Sequence, residues 1–262
     1  NLKDILDLFI DPTDGLVGPF EFTNCIVKGR MGSGKTMYLR ANYAYYLYTL
    51  VPCLMHRLPI ILPVYIRLSD FQNLKNPEEL YYAIIIKIVE EIVAVCGHLQ
   101  SADQLARLHT GASTLTGLWS TETTSLQVLD DLRKLTAEEY VETVTKGFKT
   151  HGSITASFLA AYSDYERTSV QEMKRHDKPS FQNIVDTCDK LISQFDGSLL
   201  LLVDEIGSIH KSFFKNTDDS DSYFETLMNQ LRTVPYIRTK LAVYPNSSED
   251  ILKETRYGDI VE

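Results

Sequence analysis

The stretch Gly29-Arg30-Met31-Gly32-Ser33-Gly34-Lys35-Thr36 constrains this chain more than any other. It fits the pattern G-x-x-x-x-G-K-[ST] at every specified position. From average residue usage, a chain of 262 residues meets that pattern by accident on the order of one time in a hundred. The flanks make accident rarer: Phe22 to Lys28 reads as a short strand, and Met37 to Leu50 reads as a helix. A strand that enters a glycine-rich turn and leaves it as a helix belongs to a layered α/β fold. The glycines carry no Cβ, so the backbone can take positive φ and lie close against a ligand. Successive N–H groups then point inward as an anion nest, and the helix N-terminus adds its partial positive charge.

The residue types at the end of the stretch specify the anion. A lysine at position 35 reaches the β- and γ-phosphates of a nucleotide, and the Thr36 hydroxyl is a ligand for Mg²⁺. Gly29, Arg30, Met31, Gly32, Ser33 and Gly34 supply the cradle, with Lys35 and Thr36 closing it. The plainer alternative is a glycine-rich turn with a chance lysine.

A second stretch answers the first. Leu199 to Val203 is an unbroken apolar run, followed at once by Asp204 and Glu205. Such a run, bounded by Asp196-Gly197 and two acids, predicts a parallel strand buried on both faces. Asp204 at its carboxyl end is placed to hold Mg²⁺ directly or through water. Glu205 is placed to orient or deprotonate an attacking water. An apolar run ending in two acids is a weak pattern alone, and gains its meaning from the glycine-rich stretch upstream.

Composition narrows the remaining classes. Apolar content of 44% and charged content of 23% suit one large globular domain, or one domain with an insertion. A formal net charge of −9 argues against a protein that coats nucleic acid non-specifically, without excluding a local basic groove. Cys25, Cys53, Cys96 and Cys188 are scattered with no C-x-x-C pair, which points away from zinc and towards reduced thiols in the cytoplasm. No histidine is assigned to a metal. Asn1-Leu2-Lys3-Asp4 does not read as a secretory start. The apolar stretch Tyr46 to Leu68 is broken by Pro52, Pro59, Pro63, His56 and Arg57, so no membrane span is expected. It reads as a helix end, a turn, then a buried strand over Ile60 to Leu68.

The other segments fill in the layers. Asn1 to Ile10 reads as a short amphipathic helix. The tyrosines Tyr38, Tyr43, Tyr45, Tyr46 and Tyr48 suit helix packing better than a stacking platform for single-stranded nucleic acid. Asn76-Pro77-Glu78-Glu79 starts a helix that runs to about Val95. Residues 97–178 carry the weakest pattern and predict a mostly helical insertion, with helices possible over Leu126 to Leu135, Ala137 to Lys149 and Ser153 to Val170. Pro179 to Phe195 and Asp221 to Arg232 read as helices, and Thr239 to Tyr244 as another buried strand.

Gly29–Thr36 together with Leu199–Glu205 resembles Walker A and Walker B of the additional-strand P-loop ATPases, the group that holds AAA+ and STAND proteins. The order and spacing look most like the origin-recognition (replication-initiator) branch of AAA+. The resemblance covers roughly residues 20–96 and 180–258. It implies a three-layer P-loop NTPase sandwich whose parallel sheet has the loop strand central, the Thr239–Tyr244 strand beside it and the Leu199–Glu205 strand beyond. By the same resemblance Asn246, with Ser247 second, matches the sensor 1 position, and Arg256 lies where an arginine finger can occur. The helical lid and its sensor 2 arginine are not expected within this sequence.

The implied function is an ATP- and Mg²⁺-dependent switch in which Lys35, Glu205, Asn246 and Arg256 serve catalysis. It would couple nucleotide state to homo-oligomerisation, to a larger ATPase complex, or to engagement of DNA. The alternative is a nucleotide-dependent binding or scaffold module with little turnover, regulating a partner effector protein. A small-molecule phosphotransferase is a third and weaker reading, which the adjacent Asp and Glu disfavour.

Overall fold

The run Leu199 to Val203 folds as the sequence predicts, as an inner strand with every residue buried. The computed structural model describes residues 2–9, 18–111, 115, 181–192, 195–215, 222–244 and 260–261. Within them the chain forms α1 (Leu2–Asp7), β1 (Cys25–Lys28), α2 (Lys35–His56), β2 (Ile60–Arg67) and α3 (Pro77–Thr110). These are followed by α4 (Phe181–Ile192), β3 (Gly197–Asp204), α5 (Tyr223–Thr233), β4 (Ile237–Val243) and β5 (Ile260–Val261). The helices expected between Leu126 and Val170, the charged cluster Met173 to Lys178, and Asn246, Ser247 and Arg256 lie outside the described residues.

The strands form one five-stranded sheet in the order β2-β3-β4-β1-β5. β1 pairs in parallel with β4 and with β5, and β3 pairs in parallel with β4. β4 therefore lies between β1 and β3, as expected, but β4 and not the loop strand β1 is the middle strand of the five. β2, which contains Pro63, is the edge strand; proline cannot donate to a ladder and is tolerated there. The register sets Lys28 against Val243 and Val203 against Leu241, which brings the carboxyl ends of β1, β3 and β4 to one edge of the sheet.

The sheet is covered on both faces, which makes the architecture an α/β sandwich. Because side chains alternate along a strand, Leu200 and Leu202 pack with Cys25, Val27 and Ala242 against Tyr38, Leu39 and Tyr46 of α2. Leu201 and Val203 face the other way, where with Ile84 and Ile88 of α3 and Leu227 and Met228 of α5 they line one small apolar cavity. Burying each such leucine contributes about 1.5–3 kcal/mol. Most tyrosines of α2 serve packing: Tyr38 and Tyr46 are buried, Tyr43 packs on the same cluster and Tyr45 stacks on Phe20 at 4.4 Å, while Tyr48 is exposed.

Two helices run beyond their expected ends. α2 passes through Pro52 to His56, and α3 passes Val95 and Gly97 to Thr110. A mid-helix glycine costs about 1 kcal/mol. Leu99, Ala102 and Ala106 continue the buried stripe past it, and tertiary packing outweighs that cost. Gly111, at φ 71°, ends the helix with its N–H donating to the Arg107 carbonyl at 2.8 Å.

By compactness the chain divides into two units, Asn1–Tyr48 with Ile61–Ile88 and Ser198–Glu262, and Thr49–Ile60 with Val89–Gly197. The second unit holds Cys96 of α3 and Cys188 of α4, whose thiols burial pushes up to about 12. All four cysteines are free. Among the described residues no helix is long and apolar enough to cross a membrane.

A lysine in the first unit is buried among neutral oxygen acceptors. Lys240 on β4 is 1% exposed, and its ammonium donates to Asn42 Oδ1 at 2.7 Å, the Pro19 carbonyl at 3.1 Å and the Tyr38 hydroxyl at 3.3 Å. Burial lowers its pKa to about 8. A lysine whose folded pKa is depressed binds fewer protons folded than unfolded between that value and the free-lysine value. Stability therefore rises with pH across that window. We expect wild type to gain stability relative to Lys240→Met between pH 8 and pH 10, by up to roughly 3 kcal/mol. Denaturant unfolding of both proteins at the two ends of the window checks it, and parallel profiles would contradict it.

Candidate functional site

The site is built at the carboxyl edge of the sheet, in the first unit. β1 ends at Lys28, and the Gly29 N–H extends the ladder to the Val243 carbonyl of β4 at 3.4 Å. The chain then turns back, with the Ser33 N–H donating to the Arg30 carbonyl at 3.2 Å, and enters α2 at Lys35. Gly32 and Gly34 hold φ of 82° and 91°, values that a side chain strongly disfavours. Gly29 is required for a different reason: a Cβ there would collide with the Ser33 hydroxyl. Arg30, Met31, Gly32, Ser33 and Gly34 are exposed, so the crest of the loop is open.

Lys35 lies under that crest. Its ammonium donates to the Gly29 carbonyl at 2.6 Å and the Arg30 carbonyl at 2.8 Å, reaches Ser33 Oγ at 3.5 Å, and stands 4.3 Å above the centre of the Tyr244 ring. Desolvation lowers its pKa, and the nearby Asp204 carboxylate pulls it back up. Lys35 and Asp204, far apart in sequence, thus feel each other across the sheet edge.

Asp204 closes β3 and is 1% exposed. Its Oδ1 accepts from the Glu205 N–H and its Oδ2 from the Tyr65 hydroxyl, each at 2.8 Å. Burial, then the bond to Asp204, raises the Tyr65 pKa, so the phenol stays a donor through the physiological range. Glu205 follows in the left-handed region at φ 56° and ψ 40°, a conformation that costs a non-glycine residue about 1–2 kcal/mol. Its carbonyl is pinned by the Ser208 N–H at 3.0 Å and the Ser208 hydroxyl at 2.6 Å. Among the described residues its carboxylate has no hydrogen-bond partner, and it is half-buried. The backbone of Glu205 is fixed while its acid group is free to act.

The residues present suit a magnesium nucleotide. The loop is an open backbone turn in which Gly32 and Gly34 take positive φ and nothing lies within 4 Å of where their side chains would be. Thr36, in the first turn of α2, and Asp204 are hard oxygen donors of the kind Mg²⁺ prefers. The structure brings Gly29–Thr36, Asp204 and Glu205 to one sheet edge. Asn246 and Arg256 lie outside the described residues.

Three residues at the site were not singled out from the sequence: Tyr65, Arg40 and Tyr244. Tyr65 bonds Asp204, and the Arg40 guanidinium of α2 acts on the same phenol by its charge. Tyr244 follows β4 and carries the Lys35 contact. The available signal was a lone phenol in the otherwise apolar Ile60–Ile66 run. Compared with protein-family models, with curated proteins and with solved structures, the chain matches none.

Proposed function

We propose that this chain is an ATP-binding and ATP-hydrolysing switch of the AAA+-like kind. The observation that carries the reading is the sheet register, which brings Lys35, on a strand–loop–helix turn, and Asp204, at the end of the strand one removed from β1, to the same carboxyl edge. Chance glycine-rich turns have no reason to place their lysine beside a buried carboxylate. The sheet order, with β4 between β1 and β3, supports the additional-strand group over P-loop folds in which the two strands are neighbours.

In this reading the N–H groups of residues 29–36 bind the phosphates, and Lys35 leaves its own loop carbonyls to reach the β- and γ-oxygens. Thr36 and Asp204 hold Mg²⁺, which when bound neutralises charge on the phosphates. Glu205 orients the attacking water and takes its proton. Asn246 would report on the γ-phosphate, and Arg256 would complete the site of a neighbouring subunit. The chain would work in the cytoplasm as a homo-oligomer or in a larger ATPase complex, coupling nucleotide state to assembly, to DNA or to a partner effector protein.

One observation favours a second reading, a nucleotide-dependent binding or scaffold module with little turnover. The Lys35 ammonium is already held by two carbonyls and an aromatic face, and exchanging those contacts for phosphate in every cycle would slow turnover. ATP turnover measured with Mg²⁺, with and without duplex DNA, while light scattering follows mass, separates the two. Turnover that rises with DNA alongside an ATP-dependent gain in mass is expected of the switch. Tight binding with no turnover in any condition would replace it with the scaffold module.

A further inference from the structure

Asp204 is held by two donors. The Glu205 N–H, directly after β3, donates to Oδ1, and the Tyr65 hydroxyl of β2 donates to Oδ2. α2 contributes Arg40, whose positive charge acts on the same phenol and works against the rise in its pKa. The Tyr65 ring is itself fixed, edge-on to Tyr43 of α2 with centroids 6.1 Å apart. The hydrogen bond runs from phenol to carboxylate, with the guanidinium charge behind it. A phenol that donates to a carboxylate can only orient it, because its proton faces the oxygen.

We infer that Tyr65 is the positioning residue for the divalent cation of this site, with Arg40 acting through it. The inference rests on the magnesium-nucleotide reading above and adds to it how the metal-binding carboxylate is aimed. Each Asp204 oxygen takes one donor, which fixes the plane of the carboxylate and leaves its remaining lone pairs for a cation or a cation-bound water. The position of Tyr65 is set by the fold: an edge strand beside β3 places one phenol level with the end of its neighbour. The plainer account is a buried tyrosine satisfied by the nearest acceptor. That account predicts lost stability when the hydroxyl is removed, with no change in metal requirement.

The test is a Mg²⁺ titration of wild type, Tyr65→Phe and Arg40→Gln, each with a fluorescent ATP analogue whose binding is also measured without metal. Melting curves establish that each variant is folded. Tyr65→Phe is expected to need about 10-fold or more Mg²⁺ for half-maximal effect, because outer-shell partners typically carry that much metal affinity. Its metal-free affinity for the analogue should match wild type. Arg40→Gln should shift the midpoint in the same direction by less. A folded Tyr65→Phe with the wild-type Mg²⁺ midpoint would overturn the inference and leave the nucleotide reading standing. Should Tyr65→Phe not fold, the exposed Arg40 decides: a raised midpoint supports the inference and an unchanged one overturns it. A wild-type protein that binds no analogue with or without Mg²⁺ would overturn both.

Discussion

Glu205→Gln is expected to keep ATP binding and to lose turnover by roughly 10²–10⁴-fold, the usual contribution of a positioned general base. The structure makes this a clean substitution. The Glu205 backbone is held by Asp204 Oδ1 and by Ser208, so its left-handed conformation does not depend on its acid group. Its carboxylate is only half-buried, and an amide of the same shape leaves packing unchanged. Stability should stay within about 0.5 kcal/mol of wild type. Rates measured under saturating ATP and Mg²⁺ check it. Normal turnover in a pure preparation would remove Glu205 from the chemistry.

Gly29→Ala should weaken ATP binding by about 10-fold or more, a loss of about 1.4 kcal/mol. The added methyl group would occupy the position of the Ser33 hydroxyl, with the Ser33 Cβ only 3.1 Å away. The Ser33 hydroxyl must turn aside and its Cβ must shift. The Ser33 N–H is bonded to the Arg30 carbonyl, and the next residue is Gly34 at φ 91°. The loop must reshape, and the carbonyl that Gly29 offers Lys35 moves with it. Because the strain is confined to the turn, the sheet should persist, at a stability cost of about 1–3 kcal/mol. Calorimetric titration with ATP, paired with a melting curve, separates lost binding from lost fold. Wild-type affinity in the variant would show that the loop does not hold the nucleotide as described.

How much of this was legible beforehand follows from where each signal lies. β3 could be read because burial on both faces leaves an unbroken apolar run, and β2 because Pro59 and Pro63 punctuate an otherwise apolar segment. The glycine-rich turn could be read because backbone geometry there demands particular residues at fixed spacing. The far ends of α2 and α3 could not. Pro52 and Gly97 are local stop signals, and burial of Leu54, Leu99 and Ala106 overrides them. Tyr65 and Tyr244 escaped for a related reason. Their roles come from neighbours distant in sequence, Asp204 and Lys35, and no spacing rule encodes those contacts.

The most direct test of the central claim is equilibrium binding of Mg²⁺–ATP to wild type and to Lys35→Ala, with both proteins shown to be folded. Lys35 is the one side chain that joins the loop, the Asp204 field and the Tyr244 ring, and its charge is the main attraction for the terminal phosphates. The account predicts a single site in wild type that weakens by about 100-fold or more in the variant, as loss of charge-assisted contacts worth several kcal/mol requires. Equal affinity in the two proteins, or no binding by folded wild type, would contradict it.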